Sequence, residues 1–463
     1  MKSIFNKKRL RVFALMSSIS LLTGCGMLLR SEYRQPQVVL PEKWQGPAVT
    51  GSDVANKQQW WQNFNDPMLD GLIDRALRSN NDLAAATIKV RRAWLQSGLV
   101  DTNLTPSVSI SANSAFNRDL KNNSDNQTHS VSGSLSYELD LWGRLARLRE
   151  AGRWEAEATE VDRRNTALVL IGTTAADYWQ VAYLNQRIAS SEASIAYAEK
   201  ALELVQVKYG AGAVSGIDLV QARQAVATQK ASLTQLVQQR TEARNALAIL
   251  FDQAPENSVP ERSQLPAGPL PAIAAGMPAE LLSRRPDLHA AELRLRESLA
   301  NVDATKAGFY PTFTLTGSLG STSTSLASVL QNPVATLGAG LVLPFVQWNT
   351  TVLNIKVSQS QYEEAVVNFR QTLFKALSDV ENALSNNVQL QLESVELEQA
   401  LEATRQSEQL AEIRYRAGAT GVQQWLDEQE RRRTAETALA GNQLNRLNNL
   451  MKLYQALGGD MGL

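Results

Sequence analysis

The sequence predicts an α+β membrane protein whose chain runs twice through one plan: helix, two membrane-length strands, long helix, glycine break, return helix. Three observations predict it. The chain resembles itself at a shift of 205 or 206 residues, four short runs alternate apolar with small polar residues, and long stretches poor in breakers repeat apolar residues every seventh position.

The N-terminus comes first. Lys2, Lys7, Lys8, Arg9 and Arg11 precede an apolar run from Val12 to Leu22, and no acid falls among these residues. That is the pattern of a secretory leader, expected over residues 1–24. The run ends Leu22, Thr23, Gly24, Cys25, similar to the lipobox of bacterial lipoproteins, in which the cysteine is acylated and becomes the new N-terminus. Cys25 is the only cysteine of the chain, so a covalent lipid such as palmitate on it is the one modification expected, and no other cofactor is. Gly26 follows, where Asp is the usual signal for retention in the inner membrane, so an outer-membrane address is expected. Loss of the five leader cations takes 46 Lys+Arg to 41 against 46 Asp+Glu, a mature net charge of −5.

That balance argues against nucleic acid as a partner. With one Cys and only His129 and His289, no internal disulfide and no His/Cys metal cluster is expected. No activated Ser or Cys and no paired-acid constellation stands out, so an enzyme is not expected. The longest apolar stretch after the leader, Val334 to Val346, is broken by Pro344 and falls short of the ~20 residues of a helical span. A membrane crossing therefore requires strands.

Residues 25–65 read as an extended, lipidated segment. The repeat then places Asn81-Asp82-Leu83-Ala84 on Pro286-Asp287-Leu288-His289, Leu104-Thr105-Pro106 on Phe309-Tyr310-Pro311, and Tyr209-Gly210-Ala211-Gly212 on Tyr415-Arg416-Ala417-Gly418. Two units are expected, 66–252 and 278–457, joined by a Pro-rich linker over 253–277 and followed by a tail over 458–463. In each, Pro106 or Pro311 stops the first helix and the period switches to two. Val108, Ile110 and Ala112 alternate with Ser107, Ser109 and Ser111, and Val131, Leu135, Tyr137 and Leu139 with Ser130, Ser134, Ser136 and Glu138. Phe313, Leu315 and Leu319 alternate with Thr312, Thr314 and Ser318, and Leu337, Ala339, Leu341, Leu343 and Phe345 form the fourth run. Strands are expected at about 107–116, 130–141, 312–320 and 336–346, with polar loops at 117–129 and 320–336 outside the cell. Their length suits a tilted membrane strand, and their small polar faces suit a crowded aqueous lumen.

Four strands cannot close a barrel, and an open edge in lipid leaves backbone groups unsatisfied at several kcal/mol each. More than one chain is therefore required; two would give about eight strands, three about twelve and four about sixteen. Heptads follow, with Val161, Leu168, Ala175, Ala182 and Ala189 in one half and Val366, Leu373 and Val380 in the other. They predict coiled-coil helices from Gly143 to Tyr209 and from Asn349 to Tyr415, on the order of 100 Å each. Glycine breaks at 210–216 and 418–421 turn them into return helices. Each half goes up one strand and down the next, so all helices share the side of the lipid anchor.

Several segments together resemble the TolC-like outer-membrane efflux proteins, and among them the lipidated outer-membrane factors of tripartite pumps. They are Trp60-Trp61 with Asp66-Pro67, Tyr137-Glu138-Leu139-Asp140-Leu141-Trp142-Gly143-Arg144, Arg284-Arg285-Pro286-Asp287, Phe309-Tyr310-Pro311 and Arg414-Tyr415-Arg416-Ala417-Gly418. The resemblance covers nearly the whole mature chain. It implies a homotrimer with a twelve-stranded transmembrane barrel continued by an α-helical coiled-coil tunnel through the periplasm. The tunnel docks on a periplasmic adaptor and an inner-membrane efflux pump, the machinery of multidrug resistance. It also implies an aperture at the periplasmic helix tips. Asp427 matches an acidic ring position there, and Gln424, one turn earlier, stands where some members carry a second Asp. Asp218 occupies the equivalent turn of the first half, and Glu430 adds a nearby acid. Gly212, Gly216, Gly418 and Gly421 form the tip turns that would engage adaptor or pump. A passive duct takes its specificity from the pump behind it, so drugs, dyes, aromatic acids and metal ions all fit. Two other classes share parts of the pattern: a periplasmic coiled-coil structural or adaptor lipoprotein has the hairpins without the strands, and a general porin has strands without the helices.

Overall fold

A computed structural model describes residues 29–45, 59–255, 259–271, 273, 275–280 and 284–459. Cys25 and the leader lie outside the described residues. The described residues fall into two compact units, one made of the parts up to Val38, Ile88–Val161 and His289–Thr372, the other of Val39–Thr87, Asp162–Leu288 and from Leu373 on.

Seven helices of a dozen residues or more occur among the described residues: α1 (Pro67–Ser79), α2 (Asn81–Thr102), α3 (Arg144–Gly210), α4 (Gly216–Ile249), α5 (Pro286–Ala307), α6 (Trp348–Arg416) and α7 (Val422–Ala456). None of the described helices is long and apolar enough to cross a membrane. Four strands, β1 (Ser107–Asp119), β2 (Ser124–Leu139), β3 (Thr312–Ser323) and β4 (Val334–Val342), form one antiparallel sheet in chain order.

The first unit holds the sheet. Its register sorts the two faces. Val108 opposes Leu135, Ala112 opposes Val131, Tyr137 opposes Leu315 and Phe313 opposes Leu341 on one face. Ser109 opposes Ser134, Ser136 opposes Thr316 and Ser318 opposes Thr336 on the other. On that second face Ser109 and Ser134 hydroxyls share a hydrogen bond of 2.7 Å, and those of Ser111 and Ser132 one of 2.9 Å. The apolar side chains stand exposed: Ile110 is 82% and Leu337 92% accessible, far beyond what a folded core leaves uncovered. Among the described residues β1 and β4 each keep one unpaired edge.

The strand ends differ from expectation. β2 starts at Ser124, so the expected loop at 117–129 is largely strand, closed by a short turn in which the Asp119 carboxylate accepts from the amides of Lys121 and Asn122. Ser124 to Thr128 are polar at every position, so no alternation announces a strand there. β3 likewise continues to Ser323 and β4 starts at Val334, which narrows the other expected loop. β4 stops at Val342, and Pro344–Gln347 form a 3₁₀ turn, because proline lacks the amide a ladder needs.

The strand-to-helix junction explains a conspicuous segment. Asp140 accepts from the amides of Leu145 and Ala146 and so caps α3. Glu138 takes both contacts of Arg144 at 2.8 and 2.9 Å, while Trp142 stacks on Tyr310 with centroids 4.9 Å apart and donates its indole N–H to the Pro311 carbonyl at 2.7 Å. Within this unit Ser31 donates from both N and Oγ to Asp303, at 2.7 and 2.6 Å, which fixes the chain near its described start.

The second unit is helical, with an aromatic core. Trp60 stacks on Tyr454 at 4.5 Å and Phe64 packs on Trp179 at 5.0 Å. Trp60–Phe64 is a 3₁₀ helix with both tryptophans buried, so this part of the segment expected to be extended is structured instead. The expected single first helix breaks at Asn80, whose side chain accepts from the amides of Asp82 and Leu83 to cap α2. Asp66 caps α1 and also receives Tyr178 Oη at 3.1 Å and Arg262 at 2.9 Å.

In the Arg284–Asp287 segment, the helix opens at Pro286 as its fixed φ favours. The buried Arg285 guanidinium contacts Asp287 at 2.8 Å and Asp379 at 3.4 Å, and donates to the Ala456 carbonyl at 3.1 Å. One side chain thereby ties the start of α5 to α6 and to the end of α7.

Candidate functional site

The two glycine breaks lie in the second unit and are built alike. At the end of α3, Gly212 has φ +69°, its amide bonds the Tyr209 carbonyl and that of Ala213 bonds Lys208. At the end of α6, Gly418 has φ +77°, its amide bonds Tyr415 and that of Ala419 bonds Arg414. Both are Schellman turns, whose central residue needs the left-handed region that glycine enters without a Cβ clash. Gly216 and Gly421 play a different part: Gly216 is the first residue of α4, and Gly421 precedes α7 with an extended backbone, φ −70° and ψ 165°.

The turns pack on one another. Val205 and Ala222 from the first meet Tyr415, Val422 and Trp425 from the second in one buried cluster. Tyr415 stacks on Trp425 with centroids 5.5 Å apart, and Tyr197 meets Trp425 edge-on at 5.9 Å. Tyr197 Oη donates to Glu412, and burial pushes both the Tyr197 and Tyr415 phenols up. Lys208 reaches across, with Nζ 3.0 Å from the Tyr415 carbonyl and 4.3 Å from the centre of its ring.

The acids differ sharply in their partners. Asp218 closes a capping box with Ser215, accepting from its hydroxyl at 2.6 Å and its amide at 2.9 Å. These Ser215 hydrogen bonds, with a backbone amide from Val422, hold its carboxyl below the usual range. Glu430 is paired with Arg433, and Glu428 with Arg431 at 2.7 Å. Asp427 is exposed, accepts only from the Gln423 amide at 2.6 Å, and has no cation within ion-pair reach among the described residues. Gln424 is exposed beside it. Deeper in the helices, Glu408 is buried against Arg432, which also holds Glu436 at 2.8 Å, and burial raises the Glu408 carboxyl. Lys208 and the Glu408–Arg432 pair carry no local sequence signal; their partners are distant in the chain or identical in kind to many solvent-facing charges.

A sheet with one exposed apolar face, together with long helices that end in paired glycine turns, is the pattern of a membrane channel component. The chain belongs to the family described as "Outer membrane efflux protein", whose model matches residues 72–251 and 277–459. The pyoverdine export outer membrane protein OpmQ of Pseudomonas putida is 32% identical over 431 residues, 90% of this chain and 92% of that one. The probable outer membrane lipoprotein SilC of Salmonella typhimurium is 28% identical, over 96% and 97% of the two chains. The open state of the MtrE outer membrane channel of Neisseria gonorrhoeae superposes with a TM-score of 0.81 at 29% identity, covering 93% of this chain and 98% of that one. The protein is an outer-membrane efflux channel, the exit duct through which an efflux system discharges.

Proposed function

We propose that three copies of the chain place their sheets edge to edge, β4 of one against β1 of the next, in a twelve-stranded barrel with the apolar face towards lipid. The observation that carries this reading is the sheet itself: four strands with one lipid-compatible face and two unpaired edges, which hydrocarbon does not tolerate open. The helices then continue the duct through the periplasm. Its walls are two copies per chain of one unit, 66–252 and 278–457, joined through 253–277. After removal of residues 1–24, acylated Cys25 anchors the chain to the membrane it crosses.

The duct is gated where the helices turn. Asp427, the tip acid without a cation, recurs once per subunit about the symmetry axis and forms the narrow ring, with Gln424 one turn away. Like charges held there favour cations and work against closure. Asp218 holds the turn that supports the ring, and Glu430 contributes a compensated charge at its edge. The Gly212–Gly216 and Gly418–Gly421 turns present the surface that meets a periplasmic adaptor and an inner-membrane pump. Passive transit leaves the choice of cargo to that pump; the pyoverdine named for OpmQ is one solute it would accommodate.

The test is the mass of the detergent-purified protein by light scattering, corrected for detergent, with acylation of Cys25 read by mass spectrometry on the same sample. Three chains per particle, each carrying lipid, are expected. A monomer that stays in solution without detergent would overturn the reading in favour of a periplasmic scaffold.

A further inference from the structure

A cavity of about 460 Å³ lies within the second unit, walled by all four of its long helices. Its charged lining is Arg187 from α3, Arg405 from α6, and Arg433 and Glu436 from α7; the rest is mostly serine, threonine and glutamine. Two of these guanidiniums are compensated. Arg433 is held by Glu430, and Arg405 lies 3.9 Å from Glu436, which Arg432 shares. Glu408 in turn takes Arg432.

Arg187 is not compensated. Among the described residues its guanidinium contacts only the Tyr183 hydroxyl at 3.2 Å and stands 5.9 Å from the centre of that ring. On the facing helix, Arg240 follows the lining residue Gln239. It reaches the Asn185 amide oxygen at 3.4 Å, and its Nε is buried without an acceptor. Neither arginine has a carboxylate within ion-pair distance among the described residues. Guanidinium does not shed its proton, so these charges are permanent. Beside them the hydroxyls of Ser190, Ser191 and Ser232 offer further donors, Ser191 being buried.

We propose that this cavity binds a small oxyanion, a phosphate or a carboxylate-bearing solute, with Arg187 as the principal contact and the serine hydroxyls as support. A planar guanidinium fork matches two oxygens of such a group, and the charge-assisted bonds are stronger in a partly enclosed site than in water. The volume lies within the range of small-molecule sites and exceeds that of the anion alone, leaving room for a short organic body or water. The cavity wall is shared by the α3–α4 and α6–α7 pairs, while Arg187 and the three serines all lie on α3 and α4. The inference does not depend on the trimer or on the aperture.

Isothermal titration of inorganic phosphate into the full-length detergent-purified protein, in chloride buffer of matched ionic strength, tests it. Saturable binding, one phosphate per chain, with Kd below ~1 mM is expected. Arg187→Gln is expected to weaken it at least about tenfold. Ser232→Leu, which fills the cavity and keeps every guanidinium, serves as the second variant and is expected to abolish it. Competition by succinate distinguishes the ligand sources. Displacement marks a general oxyanion site and its absence a phosphate site, and either outcome supports the proposal. The absence of saturable heat with both probes, or an unchanged Kd in both variants, would overturn it.

Discussion

Lys208 and Tyr415, 207 residues apart in the chain, meet twice: the ammonium donates to the tyrosine carbonyl at 3.0 Å and stands 4.3 Å from the centre of its ring. The contact joins the helix turn of one half to that of the other. A charged hydrogen bond of this kind contributes about 1.5–3 kcal/mol and the cation–π contact about 0.5–1 more. In Lys208→Met the stem still packs on the ring, but both polar terms are lost. Amide hydrogen exchange over 207–220 and 411–425 is expected to quicken by roughly thirtyfold or more, since each 1.4 kcal/mol is a factor of ten. Unchanged protection would mean that the aromatic cluster alone holds the turns.

Asp427→Asn removes the uncompensated tip acid and keeps the hydrogen-bonding capacity that Gln423 uses. In planar bilayers under a potassium chloride gradient, the reversal potential of the open channel is expected to move towards zero from a cation-selective value. Glu430→Gln, whose carboxylate already pairs with Arg433, is expected to move it less. Equal shifts in the two variants would place the selective ring elsewhere.

Arg285→Met strands two carboxylates and a helix-end carbonyl. Removing one member of a buried pair costs about 3–5 kcal/mol, and the low end is expected because Asp379 stays partly in water. The detergent-purified protein should melt lower and lose protection at the C-terminal end of α7 first. A variant that melts like the parent would show that Ala456 and its neighbours are held by packing alone.

A turn glycine and a helix glycine should respond in opposite senses. Gly418→Ala forces a Cβ into the left-handed region at φ +77°, at roughly 1–2 kcal/mol. Gly98→Ala, mid-helix in α2 with nothing near the added methyl, is expected to stabilise by about 0.5–1 kcal/mol. Denaturant titration of each variant reads the sign directly.

Burial raises the Asp177 carboxyl to about 6. An acid whose folded value lies above its ordinary 3.8 favours the folded state while protonated in both states. That contribution is full below about pH 4 and is lost as pH rises through 6. Thermal melts should therefore show Asp177→Asn more stable than the parent at pH 7.5, with the gap closing towards pH 4.5. A gap that is constant with pH would exclude Asp177 as its source.

Much of this was legible in the sequence because period and breakers act locally. The alternation from Val108 to Ala112 placed a strand, the heptads from Val161 placed a helix, and Gly212 and Gly418 marked the turns. Physical ambiguity hid the rest. Ser124 to Thr128 extend β2 without an apolar face, since a strand projecting beyond lipid has no reason to alternate. Asn80 breaks a helix through its own capping side chain, although asparagine is common within helices. At the tips, the resemblance singled out Asp427, whereas the shift of 206 residues sets Asp218 on Gln424. The Ser215 capping box sets Asp218 apart, and it depends on a serine three residues before the acid in one turn and a glycine, Gly421, at the capping position of the other. Arg187 and Lys208 carried no signal, because what matters for each is a partner, present or missing, fixed by the packing of distant helices.

The hydroxyl-bearing face of the sheet has a bearing on what can leave the cell. From Ser130 to Ser136, Thr314 to Ser318 and Ser107 to Ser111, the side chains on that face bear no formal charge, and neighbouring serines satisfy one another across the strands. Turned inward, such a wall imitates the hydrogen bonding of water without the pull of an ion exchanger. A departing solute exchanges one hydration shell for another of similar quality and carries no counter-ion debt into the medium. Anionic and cationic solutes would thus find the same ease of departure once past the tips.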